Sequence, residues 1–438
     1  MKAIAQELTP IVGDSDIYDW DSLKPIWQER LAKLSAANSV PSIIVYPSTA
    51  DELAQVVTLA HRHNWSILPC GSGSKLNWGG MGQAVDLVVS TERLNRIIDH
   101  AVGDLTVTVE AGVKLADLQE KLAKVGQFLP LDPAYPEDAT LGGIVATADS
   151  GSWRHRYGGI RDMLLGISFV RSDGQIAKAG GRVVKNVAGY DLMKLFTGSY
   201  GTLGILTEMT FRAYPVQEAS ATVLLTGEAE AVASTTATLL ASALTPTAVD
   251  LLSPQLVSQL NLGQGIGLIV RFQSVAPSVK EQSARILEVG QTLGLNGALY
   301  TDADETHLWQ LLPKQIWTAP QQPGIICKIG VLPTAAVTTL TKLDTLTSEP
   351  GLGLIHAGSG LGLWRLNPDV VKSHAIAQMR NHCEAQRGFL TVLEAPISLK
   401  QQVDVWGYNG NALNVMRGIK QKFDPKNLLS PHRFVAGI

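Results

Sequence analysis

The chain concentrates glycine between short apolar runs in the stretch from Thr140 to Thr207. This stretch begins Thr140-Leu141-Gly142-Gly143-Ile144 and ends Gly204-Ile205-Leu206-Thr207. Glycine weakens regular helices and strands, so such density is useful mainly where the backbone turns sharply or approaches another group closely. A bound cofactor with a long, phosphate-containing tail would require an approach of this kind.

The bulk properties describe a globular protein. A chain of 438 residues exceeds the size of one ordinary core, which predicts two domains. The net charge of -3 and the lack of a dense Lys/Arg stripe argue against a nucleic-acid partner. The N-terminus does not have the pattern of a signal peptide, and no apolar run reaches membrane-spanning length. We therefore expect a cytoplasmic protein without direct membrane insertion, associated with a membrane only through a partner.

The three cysteines are far apart in the sequence. Cys70, Cys327 and Cys383 form no CxxC pair and no iron–sulfur ligand run. We expect reduced thiols and no metal site.

The first half of the chain predicts a β-α-β unit followed by further strands. A strand over Ile43–Tyr46 precedes a helix start at Ser48–Glu52, and a strand over Ser66–Pro69 runs into the glycine loop Cys70–Gly80. Further strands are expected at Asp86–Val89, Leu105–Glu110, Leu164–Arg171 and Leu203–Phe211, and helices at Lys114–Lys124 and Ala188–Phe196.

From about residue 218, helices rich in Ala, Leu and Thr alternate with strands. This pattern predicts a second domain that packs helices on a sheet, and the tail predicts a helix over Tyr408–Phe423. The expected helices lie near 227–244, 276–293, 333–347 and 368–387, and the expected strands near 266–273, 325–331, 353–365 and 389–394.

Two glycine loops could bind phosphate. The amides of Gly71–Ser74 could surround one anion, although a plain turn has the same composition. The loop is not a nucleotide-triphosphate P-loop, because Leu76 follows Lys75 where Ser or Thr is needed. Thr140 could cap a helix whose first turn, with Gly142 and Gly143, leaves amides and the positive dipole end open to a pyrophosphate. The alternative is a helix start that packs tightly on a strand.

The order of these loops resembles the FAD-binding domain of the vanillyl-alcohol-oxidase (PCMH-type) superfamily. The tail Phe423–Pro431 resembles the superfamily's C-terminal signature, and Tyr157–Gly166 with Gly181–Leu195 resembles the FAD-binding E subunit of glycolate oxidase. The resemblance implies an α+β fold, in which a two-part FAD-binding domain is joined by an α/β cap domain with an antiparallel sheet flanked by helices. The implied boundaries are an N-terminal arm (1–35), the FAD-binding domain (36–217), the cap or substrate domain (218–405) and a segment returning to the FAD-binding domain (406–438).

The resemblance also implies the cofactor site. Because the first loop contains no histidine, FAD should be non-covalent; Cys70 is a conceivable tether, but a small structural residue is the favoured interpretation. The implied cofactor-binding residues are Pro69, Gly71, Ser72, Gly73, Ser74, Lys75, Asp132, Pro133, Thr140, Gly142, Gly143, Ala146, Thr147, Gly151, Gly204 and Ile205.

The catalytic residues are less evident. Related catalytic subunits carry a His-Ala-Gly-Asp-Gly-Asn-Leu-His run, which appears here only as His356-Ala357-Gly358-Ser359-Gly360-Leu361-Gly362, without the acid and the second histidine. His356 is therefore a weak candidate for the catalytic base, against an inherited or structural role. The cationic stretch Trp153–Tyr157 could bind a substrate carboxylate, but we favour a solvated loop or a subunit contact.

Three functions remain open at this point. The leading one is the FAD-binding subunit of a glycolate (2-hydroxy acid) dehydrogenase or oxidase, which passes electrons to an iron–sulfur subunit beside a catalytic FAD subunit. The second is an autonomous FAD-dependent oxidoreductase of a 2-hydroxy acid or sugar acid. The third is a scaffold subunit that has lost FAD.

Overall fold

The computed structural model describes residues 2–34, 43–82, 85–182, 189–317 and 324–438. The chain divides into two compact units. The first comprises Met1–Ser150, Gly158–Val216 and Tyr408–Ile438, and the second comprises Gly151–Tyr157 and Gln217–Gly407. The short segment Gly151–Tyr157, which the sequence analysis assigned to the FAD-binding domain, therefore groups with the second unit.

The described residues form nineteen strands, most of which belong to three sheets. The strands are β1 (Ile17–Asp19), β2 (Ile43–Val45), β3 (Ile67–Cys70), β4 (Leu87–Ser90), β5 (Ile97–Ala101), β6 (Thr106–Glu110), β7 (Gln127–Phe128), β8 (Leu164–Val170), β9 (Ile176–Gly180), β10 (Ile205–Arg212), β11 (Tyr214–Pro215), β12 (Ala219–Gly227), β13 (Ala248–Leu252), β14 (Ile266–Ser274), β15 (Asn296–Thr301), β16 (Ile325–Gly330), β17 (Leu352–His356), β18 (Leu361–Leu366) and β19 (Phe389–Glu394).

Sixteen α-helices occur in the same described ranges. They are α1 (Lys2–Val12), α2 (Pro25–Ala32), α3 (Ala50–His63), α4 (Leu115–Ala123), α5 (Leu141–Thr147), α6 (Arg154–Tyr157), α7 (Ile160–Met163), α8 (Leu192–Phe196), α9 (Ala229–Ala241), α10 (Pro254–Gln259), α11 (Ala276–Thr292), α12 (Asp302–Trp317), α13 (Ala336–Asp344), α14 (Ser373–Ala385), α15 (Ile397–Lys400) and α16 (Leu413–Phe423).

The predicted β-α-β unit is confirmed and positions the first glycine loop. Strands β2 and β3 both pair in parallel with β4, and α3 connects them. Thr49 caps α3 by accepting a hydrogen bond from the Glu52 amide at 3.1 Å. The helix buries Leu53, Val56 and Ala60 at the predicted helical spacing. The glycine loop begins where β3 ends.

These strands belong to a four-stranded sheet in the order β1-β2-β4-β3, in which only β1 pairs antiparallel among the described strands. Both faces of this sheet are covered, because successive strand residues point into different cores. Ile43 and Val45 lie in one core with residues of α1 and α3. Ile44 lies in the other, together with Trp27 and Leu31 of α2. The N-terminal helices are therefore packed layers of the first unit.

A five-stranded sheet in the order β5-β6-β10-β8-β9 completes the first unit. All of its neighbours pair antiparallel. Helix α5, which carries the second glycine motif, lies against β10.

The second unit is built on an eight-stranded sheet in the order β15-β12-β14-β13-β17-β18-β16-β19. Every neighbouring pair is antiparallel. Val223 and Leu225 of β12 lie in one core and Leu224 lies in another, so helices cover both sheet faces. The predicted α+β class, with an antiparallel sheet flanked by helices, is confirmed.

Some predicted elements were wrong. The single strand expected over 353–365 is two antiparallel strands, β17 and β18, joined by a turn at Gly360, which has a φ of +69°. Helix α16 begins at Leu413 rather than at Tyr408, because Gly410 interrupts the intervening stretch. Strands β12, β13 and β15 and helix α12 were not predicted.

Residues 183–188, part of the stretch Gly181–Leu195 that supports the resemblance to the E subunit, lie outside the described residues.

Candidate functional site

A cleft in the first unit brings together most of the predicted cofactor-binding residues. Its empty volume is about 860 Å³, including space open to solvent. Asp132 and Pro133 do not line it, and Gly151 belongs to the second unit. The predicted residues that line it are Pro69, Gly71, Ser72, Gly73, Ser74, Lys75, Thr140, Gly142, Gly143, Ala146, Thr147, Gly204 and Ile205. The sequence analysis missed Leu68, Cys70, Leu76, Thr91, Ala111, Ser199, Tyr200, Gly201, Leu206 and Arg433.

Three consecutive carbonyl groups of the loop after β3 are held by the protein. The Cys70 carbonyl accepts from the Thr91 amide at 2.8 Å, and the Gly71 carbonyl accepts from Ser90 Oγ at 3.0 Å. The Ser72 carbonyl accepts from the Arg30 guanidinium. Polar side chains at the end of β4 therefore fix the beginning of the loop.

This anchoring leaves three amides available for a ligand. In a trans peptide the N–H points away from the preceding carbonyl, so the amides of Gly71, Ser72 and Gly73 point away from these anchors. Among the described residues, none of the three amides donates a hydrogen bond to a protein group. Consecutive free amides in a turn form an anion-binding concavity.

Glycine is required at two points of this loop by its surroundings. Gly73 has a φ of +79°, and a Cβ atom there would lie 2.8 Å from the Trp27 ring. A Cβ atom on Gly71 would lie 2.9 Å from the Thr140 Cβ. The loop therefore packs directly against α2 on one side and the cap of α5 on the other.

The Ser72 hydroxyl is bonded within the protein. Ser72 Oγ donates to the Asp138 carbonyl at 2.6 Å, so this hydroxyl serves the fold.

Helix α5 begins as predicted, but its amides are occupied. Thr140 Oγ1 accepts from the Gly143 amide at 3.3 Å, which confirms the cap. The Leu141 and Gly142 amides donate to the carbonyls of Val113 and Ala111, at 2.9 and 2.8 Å. The prediction that this helix start leaves amides open to a pyrophosphate is wrong, because neighbouring backbone uses them.

The glycine at position 142 instead serves close packing. A Cβ atom on Gly142 would lie 2.9 Å from the Ala111 Cβ. The alternative interpretation of this motif, a helix start packed tightly on a strand, is the observed one.

Lys75 places a buried positive charge at the cleft. Its Nζ lies 2.7 Å from Asp149 Oδ2 and 5.4 Å from the Trp78 ring centroid. The contact with Asp149 is an ion pair without hydrogen-bond geometry, so the ammonium donors remain available to a further acceptor. Asp149 also accepts from the Ala134 amide at 2.9 Å, which ties the segment after Pro133 to the same site.

The C-terminal tail holds the far end of the loop. The Arg433 guanidinium donates to the carbonyls of Leu76, Trp78 and Gly80 at 2.5, 2.6 and 2.9 Å. Burial lowers the pKa of Arg433 to about 10, so it stays charged at neutral pH.

The tail reaches this position by pairing beside β3. The Ile67 amide donates to the Leu428 carbonyl at 2.7 Å, and the Ser430 amide donates to the Ile67 carbonyl at 2.8 Å.

The nucleophilic side chains around the cleft are poorly suited to covalent attachment of a cofactor. Burial raises the pKa of the Cys70 thiol and of the Tyr200 phenol well above their usual values. Both groups therefore stay protonated, and the thiol is a weak nucleophile in that form. Among the described residues that line the cleft, none is a histidine.

A second polar cluster lies wholly within the second unit. His356 Nδ1 is 2.7 Å from Asp250 Oδ1, and Ser152 Oγ donates to Asp250 Oδ2 at 2.5 Å. Asp250 and His356 are direct cross-strand neighbours on β13 and β17, which places the two side chains together. If Asp250 accepts the Nδ1 proton, His356 Nε2 is left as the proton acceptor of the neutral ring.

Asp250 was missed by the sequence analysis. The signal was present as a single acid inside the apolar run Ala248–Leu252, because a buried strand rarely carries a carboxylate without a partner.

The stretch Trp153–Tyr157 is not a solvated loop. Residues Arg154–Tyr157 form the short helix α6, and the Arg271 guanidinium lies 5.2 Å from the Trp153 ring centroid. Burial lowers the pKa of His155; Asp250 raises it, while His356 and Arg156 lower it further. This segment is thus part of the second unit's packed polar cluster.

The described residues show neither a metal-binding cluster nor a membrane-spanning helix. No group of three or more His, Cys, Asp or Glu side chains is arranged to hold a metal ion. No helix in these ranges has the length and apolarity needed to cross a bilayer.

Comparison with known proteins shows which proteins this chain resembles. Residues 41–180 match the family described as FAD binding domain. The chain is 26% identical to glycolate oxidase subunit GlcD of Bacillus subtilis, over 91% of this chain and 90% of that protein. It is 27% identical to a probable mitochondrial D-lactate dehydrogenase of Danio rerio, over 89% of this chain and 84% of that protein.

The fold is shared with solved flavoenzyme structures. The structure of p-cresol methylhydroxylase with substrate bound superposes with a TM-score of 0.75 at 15% identity, covering 99% of this chain and 96% of that chain. The chain is thus similar to the FAD binding domain over residues 41–180, to these curated oxidoreductases over most of its length, and to p-cresol methylhydroxylase in fold.

Proposed function

We propose that this chain is the non-covalent FAD-binding subunit of a complex that oxidises a small 2-hydroxy acid such as glycolate. The observation that carries the proposal is the first-unit cleft, where the free amides of Gly71, Ser72 and Gly73 and the buried ammonium of Lys75 lie together. A diphosphate is the group that such a set of donors recognises best.

The residues around the cleft fit FAD. The amides of Gly71–Gly73 and the ammonium of Lys75 would hold the pyrophosphate, and the close packing of Gly71 on Thr140 and of Gly142 on Ala111 keeps the glycine loop and α5 in place beside the cleft. Bound FAD would supply a two-electron acceptor for oxidation of the substrate carbon. The raised pKa values of Cys70 and Tyr200 favour non-covalent binding.

The substrate class is supported by the relatives. One is a glycolate oxidase subunit and another is a probable D-lactate dehydrogenase, and both names refer to 2-hydroxy monocarboxylates. The identities of 26% and 27% are too low to choose between these acids.

The need for a partner follows from the cysteines. An iron–sulfur cluster usually needs four thiolates, and this sequence has three cysteines at distant positions. Cys327 and Cys383 are buried, and burial raises the pKa of each thiol to about 12. We therefore propose that electrons leave through an iron–sulfur subunit and that a catalytic FAD subunit completes a cytoplasmic complex, which would meet a membrane only through a partner.

The Asp250–His356 pair favours a second candidate function, an autonomous 2-hydroxy-acid oxidoreductase. A histidine whose Nδ1 is held by a carboxylate is a suitable general base, because Nε2 is then the proton acceptor. In this alternative, His356 would take the hydroxyl proton of the substrate without help from another subunit.

The first test is an absorption spectrum of the purified chain before and after denaturation. We expect a flavin spectrum whose chromophore separates from the denatured protein, because burial raises the pKa of the Cys70 thiol and the Tyr200 phenol and keeps both protonated. Flavin retained on the denatured chain would contradict non-covalent binding, and a colourless chain that takes up no added FAD would indicate a scaffold.

The second part of this test measures glycolate- and D-lactate-dependent dye reduction by the flavin-loaded chain. We expect little activity from the chain alone and activity after addition of the partner subunits. Strong activity of the lone chain that is lost in His356→Gln would instead support the autonomous enzyme.

A further inference from the structure

Helix α2 of the N-terminal segment lies directly against the loop that carries the free amides. Trp27, 6% exposed, packs against Gly73, where a Cβ atom would come within 2.8 Å of its ring. One turn further along α2, the Arg30 guanidinium donates to the Ser72 carbonyl. The same helix therefore meets two consecutive loop residues through two different kinds of contact.

Arg30 also holds the segment on the other side of the loop. Its second guanidinium nitrogen lies 3.1 Å from Asp138 Oδ2, and the Asp138 carbonyl accepts from Ser72 Oγ at 2.6 Å. The side chains of Arg30 and Asp138 are 22% and 46% exposed, so solvent weakens the ion pair more than it weakens the carbonyl contact. The planar guanidinium fork satisfies both acceptors at once, which a lysine ammonium could not do in the same geometry.

We propose that Trp27 and Arg30 are positioning residues for the cofactor, which aim the Gly73 amide into the cleft and thereby set the affinity for the FAD diphosphate. The peptide plane between Ser72 and Gly73 is the physical link, because fixing the carbonyl on the α2 side directs the N–H to the opposite side. Trp27 fills the space beside Gly73 and prevents the loop from turning toward α2. The inference rests on the proposed FAD site.

The anchors of the Cys70 and Gly71 carbonyls differ in origin from the anchor of the Ser72 carbonyl. Ser90 and Thr91, at the end of β4, hold the Gly71 and Cys70 carbonyls. These anchors come from the same sheet as the loop and form whenever the sheet forms. Arg30 is the only one of the three anchors contributed by the N-terminal segment, so that segment completes the set of aligned amides.

The test compares the affinity of apoprotein for FAD in wild type, Arg30→Met and Arg30→Lys, by quenching of flavin fluorescence. Losing a hydrogen bond to a charged group costs enough to raise the Kd for FAD by roughly tenfold or more in Arg30→Met. Arg30→Lys should give an intermediate value, because the ammonium keeps the positive charge but lacks the planar fork that reaches both acceptors. The control is Glu29→Gln on the exposed face of α2, where Glu29 forms an ion pair with Lys33, and its Kd should equal that of wild type.

A second measurement separates positioning from general stability. Hydrogen exchange of apoprotein should show faster exchange of peptides spanning residues 70–75 in Arg30→Met and in Trp27→Leu, with β10 unchanged. If Arg30→Met does not fold, Arg30→Lys and Asp138→Asn are compared with wild type in the same way, because both keep a polar side chain at the substituted position.

The outcomes distinguish a failure of the proposed function from a failure of the positioning role. A wild-type chain that binds no FAD overturns the proposed function and this inference together. Wild type that binds FAD, with the same Kd in Arg30→Met, overturns only the role of Arg30. Equal loss of affinity in Glu29→Gln would likewise overturn it, since the effect would then reflect the helix and not the loop contact.

Discussion

At the scale of single residues, the candidate cofactor site depends more on what holds its carbonyls than on its glycines. The glycines at 71 and 73 permit the backbone path, but Ser90, Thr91 and Arg30 determine which way the amides point. Those three residues are distant in sequence from the loop. Glycine spacing alone therefore predicts that a loop can bind phosphate, whereas the orientation of its donors comes from its neighbours.

His155 allows a prediction about pH at the same scale. Its pKa is lowered from 6.5, chiefly by burial. As the pH falls, His155 therefore becomes protonated at a higher pH in the unfolded chain than in the folded chain. As the pH falls below 6.5, the free energy of unfolding should therefore decrease until the folded-state pKa is passed. The measurement is urea unfolding of wild type and His155→Gln between about pH 7.5 and pH 5, where wild type should lose more stability than the variant.

Identical pH profiles in the two proteins would show that His155 does not titrate differently on folding. Because Asp250, His356 and Arg156 face His155, the comparison uses the difference between the two profiles and not the wild-type profile alone.

At the scale of elements, the C-terminal helix and the turn after it lock the tail onto the first unit. Lys420 Nζ donates to Asp424 at 2.6 Å and to the carbonyls of Leu429 and Thr202 at 2.8 and 3.0 Å. Asp424 also accepts from the Leu428 and Leu429 amides at 3.0 and 2.7 Å. This network fixes the tail just before it pairs with β3 and presents Arg433 to the glycine loop.

Replacing Lys420 by methionine should strongly destabilise the protein. The change would leave Asp424, which is 1% exposed, as a buried charge without its cation. Breaking a buried ion pair by removing one partner typically costs about 3–5 kcal/mol. Chemical denaturation would measure the loss, and Lys422→Met, on the exposed side of the same helix, should differ little from wild type. Equal stability of Lys420→Met and wild type would contradict the locking role of this network.

At the scale of the whole molecule, each unit has its own hydrophobic cores. The first is packed around the parallel sheet, and the second around the eight-stranded antiparallel sheet. Separate cores make it possible for the two units to respond differently to a ligand that binds only one of them.

FAD should therefore protect the first unit selectively. A ligand present at 100 times its Kd stabilises the folded state that binds it by about 2.7 kcal/mol. Hydrogen exchange followed by mass spectrometry should show slower exchange in β3, β4 and β10 with FAD, and little change in β12 and β14. Equal protection in both sets of strands would show that the units open together, and protection confined to the second unit would contradict a site in the first.

Helices and strands were predicted well where a short-range sequence pattern was sufficient to specify them. The cap and apolar spacing of α3, the cap of α5 at Thr140 and the strands β14, β16 and β19 follow from short-range patterns. The unpredicted β13 and the hairpin of β17 and β18 depend on pairing with distant strands, so their sequences carry weaker local signals.

The FAD binding domain could be predicted from the resemblance of the glycine motifs, and the fold class and most of the residues around the cleft could likewise be predicted without the structure, because glycine positions and apolar periodicity are local properties of a chain. Tertiary structure alone decided that the amides of α5 are occupied, that those of Gly71–Gly73 are free, and that Arg30 and Arg433 hold the loop from opposite ends of the chain. It also paired Asp250 with His356 across two strands. The physical reason is that a hydrogen bond depends on where both partners lie in space, which separation along the sequence does not fix.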